Sequence, residues 1–220
     1  MKIVIIGHGG HSKVISDLII SQTNSYEIVG VLDDKFIELK QIGNVIYGPI
    51  LSAIQFAENF KDIKFIIAIG DNMIRKKIVK RLNIADEHYI TLVHTSAVIS
   101  PASKIGYGTV VLPNAVINAE SEIGQHSIIN TGAIIEHDCK IGNFIHLSPR
   151  ATLTGAVQID DGVSIGAGAT IIPNIKIGEW SIIGAGATVI NNIPSYCTAM
   201  GVPARVKKGN EGEFIAKYNI

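Results

Sequence analysis

From Val93 to Val189 every sixth residue is Ile, Val or Leu, an unbroken column of seventeen positions that runs Val93, Ile99, Ile105, Val111, Ile117 and on through Ile183. A period of six matches neither the 3.6 of a helix nor the 2 of an alternating strand. It matches short strands separated by sharp turns and stacked as a parallel β-helix. At three hexads per turn the column makes about five and two-thirds coils, each large aliphatic lying on its counterpart one coil away. The position four residues further on forms a second, mostly small column that includes Ala115, Ser121, Ser127, Ala133 and Cys139. Glycine directly follows the aliphatic at Gly106, Gly124, Gly142, Gly166, Gly178 and Gly184, which predicts a corner where a side chain would crowd the backbone. So narrow a core suits aliphatics and not rings: Ile, Val and Leu fill 67 of 220 positions, while aromatics make up 6%.

Residues 1–92 lack the hexad and read as alternating strands and helices. The pattern predicts strands at Lys2–Ile6, Tyr26–Leu32 and Lys64–Ile69, with helices at His11–Ser21, Leu51–Asn59 and Asn72–Leu82. That is a small Rossmann-like α/β domain with three parallel strands. After the first strand, Gly7-His8-Gly9-Gly10-His11-Ser12-Lys13 opens a helix, whose backbone amides can receive an anion. The dinucleotide fingerprint is half met, because Ser12 occupies the third glycine position. The second strand ends in Asp33-Asp34 and the third in Gly70-Asp71-Asn72, both at the edge where open α/β sheets bind ligands. The expected organisation is therefore 1–92 as the α/β domain, 93–194 as the β-helix and 195–220 as a C-terminal tail.

Nineteen basic and nineteen acidic side chains leave no formal net charge, and the sequence pI is about 7.1. Nothing there favours nucleic acid, whose binders work by neutralising phosphates. The apolar run Ile3–Ile6 stops at Gly7, too short for a signal peptide or a membrane span, so a cytoplasmic protein is expected. Cys139 and Cys197 make no zinc or CxxC spacing and read as reduced core residues.

Hexads such as Ile165-Gly166-Ala167-Gly168-Ala169-Thr170 and Ile183-Gly184-Ala185-Gly186-Ala187-Thr188 resemble the hexapeptide repeats of left-handed β-helix acyltransferases. Together with Gly9-Gly10-His11, Asp33-Asp34 and Gly70-Asp71-Asn72 followed by Arg75, they make the whole chain resemble the bacterial sugar acetyltransferases that modify UDP-4-amino sugars, a family with sialic-acid O-acetyltransferases among its relatives. The resemblance implies a left-handed helix, a homotrimer, acetyl-CoA as co-substrate and no metal. It also implies that the N-terminal domain holds the nucleotide-sugar, with Gly9, Gly10 and His11 on the phosphates and Asp33 and Asp34 near the base. Gly70 falls on the same edge, and Met73 stands where a family member has a substrate-contacting glutamate.

Glu136-His137-Asp138 breaks the hexads with three adjacent ionisable groups. Eighteen residues to either side of His137 are Ala119 and Gly155, small neighbours that leave an imidazole room. A histidine beside a carboxylate is suited to proton abstraction near neutral pH, since the carboxylate fixes the tautomer. The resemblance makes His137 the catalytic base, with Asp138 in place of the glutamate found in relatives, and puts Glu136 beside the substrate. It also assigns His146 to acetyl-CoA, Gly155, Ala167 and Ala185 to backbone contacts with that donor, and Arg205 and Lys207 to the CoA phosphates. The expected reaction is direct acetyl transfer to the amine of a UDP-linked 4-amino-4,6-dideoxy sugar. O-acetylation of a sugar hydroxyl and a non-catalytic nucleotide-sugar scaffold remain as alternatives, whereas His126, His137 and His146 lack the H-x4-H spacing of a β-helix zinc lyase.

Overall fold

A computed structural model describes residues 1–22, 26–60, 62–209 and 211–218. The chain divides into two compact units, Met1–Leu92 and Val93–Ile220.

In the first unit, β1 (Lys2–Ile6), α1 (Gly10–Ser21), β2 (Glu27–Leu32), β3 (Lys40–Ile42), β4 (Val45–Gly48), α2 (Ser52–Asn59), β5 (Ile63–Ile67) and α3 (Asn72–Leu82) follow in order. The sheet order is β3-β4-β2-β1-β5. Ile3, Val4, Ile5 and Ile6 of the inner strand β1 are all at most 1% exposed, as a parallel strand covered on both faces requires. The three predicted strands are present and mutually parallel, but the sheet has five: β4 adds parallel to β2, and β3 pairs antiparallel with β4. The hairpin turns on Gly43-Asn44, with Gly43 at φ 59°. It escapes a periodicity reading because Lys40, Gln41 and Ile42 are all exposed and show no alternation of buried and exposed positions. Helix α3 begins where the Asp71 carboxylate accepts from the Ile74 amide at 3.0 Å and ends on left-handed Asn83, so both caps are written in the sequence.

The second unit opens with seventeen two-residue strands, from Leu92–Val93 to Thr188–Val189. They fall into three parallel sheets in which each residue pairs with the one eighteen positions away, as in Val116↔Ile134 and Ile128↔His146. This is the expected β-helix. Its aliphatic rungs point inward, and Ile129, Ile135, Leu147, Leu153 and Ile165 are fully buried. The hydroxyls of the small column bridge coils: Ser121 Oγ donates to the Glu136 carbonyl at 2.7 Å and accepts from the Cys139 amide at 3.2 Å.

At the corners the expected crowding is present, and the left-handed turn itself falls elsewhere. The left-handed residue is not the glycine after the rung but the residue two places later, at every sixth position from Gly108 to Gly186, including His126, Asp138, Phe144 and Trp180. The glycine after the rung answers to packing instead: a Cβ on Gly124 would stand 2.6 Å from the Gly142 carbonyl carbon of the next coil. Beyond the coils, Cys197–Met200 adds parallel to Ile182–Ile183, and Arg205–Gly209 folds back antiparallel on it. Glu211–Tyr218 is helical. Among the described residues no helix is long and apolar enough to cross a membrane.

Candidate active site

The backbone around His137 is pinned from both sides. The Asp138 amide donates to the Ala119 carbonyl at 3.0 Å, and the Ala156 amide donates to the His137 carbonyl at 2.9 Å. Asp138 occupies the left-handed corner at φ 60°, a conformation that Asp tolerates better than most residues. From there its Oδ2 lies 2.7 Å from His137 Nδ1. A carboxylate oxygen accepts, so Nδ1 carries the hydrogen and Nε2 presents its lone pair. The two side chains are 62% and 60% exposed, open to a ligand from outside the prism. On its other side the imidazole lies over Gly155.

Glu136 does not join this pair. Its Oε2 accepts from Asn118 Nδ2 at 2.9 Å, one coil earlier. His146 sits between Ile128 and Ser164 in its sheet, half-buried, with Nε2 3.2 Å from Asn130 Nδ2. Since the amide nitrogen donates, this contact puts the His146 proton on Nδ1. Asn118 and Asn130 are thus ring- and carboxylate-orienting residues that sequence reasoning missed; for Asn118 the signal was available, because it precedes Glu136 by the eighteen-residue coil. Ala167 and Ala185 occupy equivalent exposed corners on successive coils, the Ala167 carbonyl accepting from Gly186 at 2.8 Å. Arg205 and Lys207 are exposed on the Arg205–Gly209 strand. A cavity of about 510 Å³ in this unit, beside Glu122, Lys140, Asp160 and Asp161, contains neither histidine. There Lys104 and Lys140 hold the Glu122 carboxyl below the usual carboxylate range through hydrogen bonds and charge. Among the described residues no cluster of three or more His, Cys, Asp or Glu is placed to hold a metal ion.

In the first unit the loop after β1 leaves Gly9 and Gly10 exposed with open space around both, and Ser12 Oγ donates to the Gly9 carbonyl at 2.7 Å. Asp33 braces this loop, with Oδ2 accepting from the His8 amide at 2.7 Å and Oδ1 from the Lys35 amide at 3.1 Å. Asp34 accepts from the Ile50 amide at 3.1 Å and pairs with Arg81 at 2.6 Å. Both carboxylates are therefore engaged within the protein rather than standing open at the sheet edge. Gly70 is half-buried, its carbonyl accepting from Arg75 Nη1 at 2.9 Å. Met73 departs from expectation: it is 4% exposed on the packed face of α3 and offers a ligand no surface. What the sequence did not suggest is an aromatic corner in which the rings of His8, Phe36 and Tyr47 lie 5.5 to 6.1 Å apart. His8 and Tyr47 open on a cavity of about 460 Å³ that is also lined by Ser12, Lys13, Ser16 and Asp17. Tyr47 belongs to the strand that periodicity missed.

His11 is half-buried, and its Nε2 makes no hydrogen bond among the described residues. Burial, reinforced by the Arg75 charge, lowers its pKa to about 4. The folded protein thus keeps His11 neutral, while the unfolded chain takes up a proton below about pH 6.5. Stability from this group is present above pH 6.5 and is lost as pH falls toward 4, about 3 kcal/mol in all. Thermal unfolding followed across that window is expected to show a steeper acid loss for the natural protein than for His11→Gln; parallel curves would contradict the assignment.

Comparisons with known proteins match both halves. Residues 2–82 match the PglD N-terminal domain, and residues 156–191 match the bacterial transferase hexapeptide (six repeats). A UDP-N-acetylbacillosamine N-acetyltransferase of Bacillus subtilis is 45% identical over 108 residues, a match spanning 49% of this chain and 50% of that protein. A variant of perosamine N-acetyltransferase from Caulobacter crescentus, solved with CoA and GDP-perosamine, superposes with a TM-score of 0.83 at 33% identity, covering 94% of this chain and 97% of that one. The acetyltransferase domain of PglB from Neisseria gonorrhoeae, solved with acetyl coenzyme A, gives 0.82 at 33% identity over 93% and 98%. With likeness of this depth over nearly the full length, the chain belongs to the left-handed β-helix, hexapeptide-repeat family of sugar N-acetyltransferases that open on a PglD N-terminal domain.

Proposed function

We propose that this protein transfers the acetyl group of acetyl-CoA to the amine of a nucleotide-linked sugar, a UDP-4-amino-4,6-dideoxy sugar, with His137 as the base. The observation that carries the reading is the exposed His137–Asp138 pair, 2.7 Å apart, on the outside of a prism whose interior is aliphatic. The amine attacks the thioester carbonyl carbon, so a C–N bond forms. Nε2 of His137 takes the proton from the nitrogen, the C–S bond breaks, and the CoA thiolate leaves and is reprotonated from the imidazolium. An amine is nucleophilic enough to need no covalent enzyme intermediate, and positioning supplies much of the acceleration.

His146, its tautomer set by Asn130, is assigned to the acetyl-CoA carbonyl, where a positioned donor stabilises the oxyanion. Ala167 and Ala185 contribute backbone contacts to the donor, Arg205 and Lys207 contribute charge for the CoA phosphates, and Gly155 lies against the His137 ring. Gly9, Gly10 and His11 are assigned to the sugar-nucleotide phosphates, with Gly70, Asp33 and Asp34 shaping the same sheet edge and Glu136 on the sugar side. Met73, buried, is left out. The functional unit is a homotrimer, for which light scattering is expected to return three times the chain mass.

A thiol-release assay over UDP- and GDP-linked 4-amino sugars and CMP-sialic acid tests the chemistry. CoA release with the amino sugars, and with UDP above GDP, is expected; release with CMP-sialic acid alone would replace the N-acetyl reading by O-acetylation.

A further inference from the structure

We infer that Gly155 is a positioning residue for His137, and that the absence of its side chain is what holds the imidazole in register with Asp138. The inference rests on the reading of His137 as the base.

The backbone at Gly155 does not itself call for glycine. The left-handed corner of that coil is taken by the next residue, Ala156, at φ 58°, so a residue with a Cβ stands where glycine would be favoured, and glycine stands one place earlier. What glycine provides there is space. The three heavy atoms nearest to a Cβ built on Gly155 all belong to the His137 ring: Cε1 at 2.7 Å, Nε2 at 2.8 Å and Nδ1 at 3.5 Å. The coils cannot spread to admit it, because Ala156 donates to the His137 carbonyl at 2.9 Å and Asn174 donates to the Gly155 carbonyl at 3.1 Å. The ring is thus held between the Asp138 carboxylate on Nδ1 and the bare backbone of the following coil. A methyl group at 155 would displace the ring outward, where it is already exposed, and take Nε2 with it.

Four proteins decide this: the natural chain, G155A, H137A and H137A/G155A. For G155A the expected result is a kcat lowered about 10- to 100-fold, as sub-ångström to ångström misplacement of a catalytic group produces, with KM for acetyl-CoA and for the UDP-amino sugar nearly unchanged. The melting temperature should hold, since the ring has solvent to move into. Adding G155A to H137A should change neither the residual rate nor the affinity for CoA measured by calorimetry. A G155A that fails to fold while H137A/G155A folds would carry the same meaning, because only the ring conflicts with the methyl group.

The inference is overturned if G155A keeps a near-natural kcat while H137A abolishes turnover. It is also overturned if G155A weakens CoA binding equally in the H137A background, which would make it a donor contact acting independently of the ring. Should H137A itself retain full activity, the reading of His137 falls, and the positional claim is decided by the imidazole ¹⁵N resonances: displaced signals in G155A uphold it, and unchanged ones refute it.

Discussion

Replacing His137 with alanine is expected to lower kcat for acetyl transfer by about 10²- to 10⁴-fold, the range that a positioned general base contributes. Stability should scarcely change, since the side chain is 62% exposed and fills no cavity in the aliphatic core. KM for acetyl-CoA should move little, because the imidazole acts on the proton of the attacking amine rather than on the donor's binding groups. Asp138→Asn grades the effect. Asn also tolerates the left-handed corner, so the coil keeps its path, while the carboxylate's charge is lost and the amide can present N–H as well as oxygen to Nδ1, so the tautomer is no longer fixed and kcat falls by less than in H137A. Steady-state rates on both variants, beside thermal melts, check the pair. Near-normal turnover by H137A would take the imidazole out of the mechanism.

Arg75→Met is expected to destabilise the first unit by about 3–5 kcal/mol, the cost of breaking a buried polar network on one side. The guanidinium is 1% exposed and donates to the carbonyls of Ile69 and Gly70 at 3.0 and 2.9 Å and to Asn72 Oδ1 at 2.8 Å. Methionine approximates its volume but donates nothing, so acceptors gathered by one rigid fork lose a partner in a place that water does not easily reach. Burial lowers the Arg75 pKa to about 9, against the opposing pull of Asp71, so the group remains charged at neutral pH and its loss is that of a cation. Arg75→Lys should recover only part, because an ammonium cannot reproduce the planar fork. Urea unfolding with an unchanged slope and a lowered midpoint is the expected outcome; a midpoint within experimental error of the natural protein would show the network to be dispensable.

The two halves of the chain were unequally legible, for reasons that particular residues make plain. A rung such as Ile135 declares itself through its neighbours six and eighteen residues away, because every coil repeats the same geometry and the pattern survives local variation. The strands β1, β2 and β5 announced themselves as apolar runs, but β3 and β4 did not: Lys40, Gln41 and Ile42 are exposed, and only a Gly-Asn turn marks the hairpin. That omission hid Tyr47, and with it the aromatic corner shared with His8 and Phe36. Met73 was misplaced because a position matched by motif carries no information on whether the helix turns it inward.

From the order of residues alone came the β-helix, its coil length, the α/β unit ahead of it and the Glu136-His137-Asp138 interruption, since all are periodicities or adjacencies along one chain. The tertiary structure alone decided which neighbour each of those groups would meet. Asp138 turns back onto His137 because it occupies the left-handed corner, Glu136 reaches down one coil to Asn118, and Gly155 clears the far side of the ring. The eighteen-residue coil brings Asn118 alongside Glu136 and Gly155 alongside His137, but rotamers and backbone dihedrals settle which groups meet, and no spacing in the sequence encodes those.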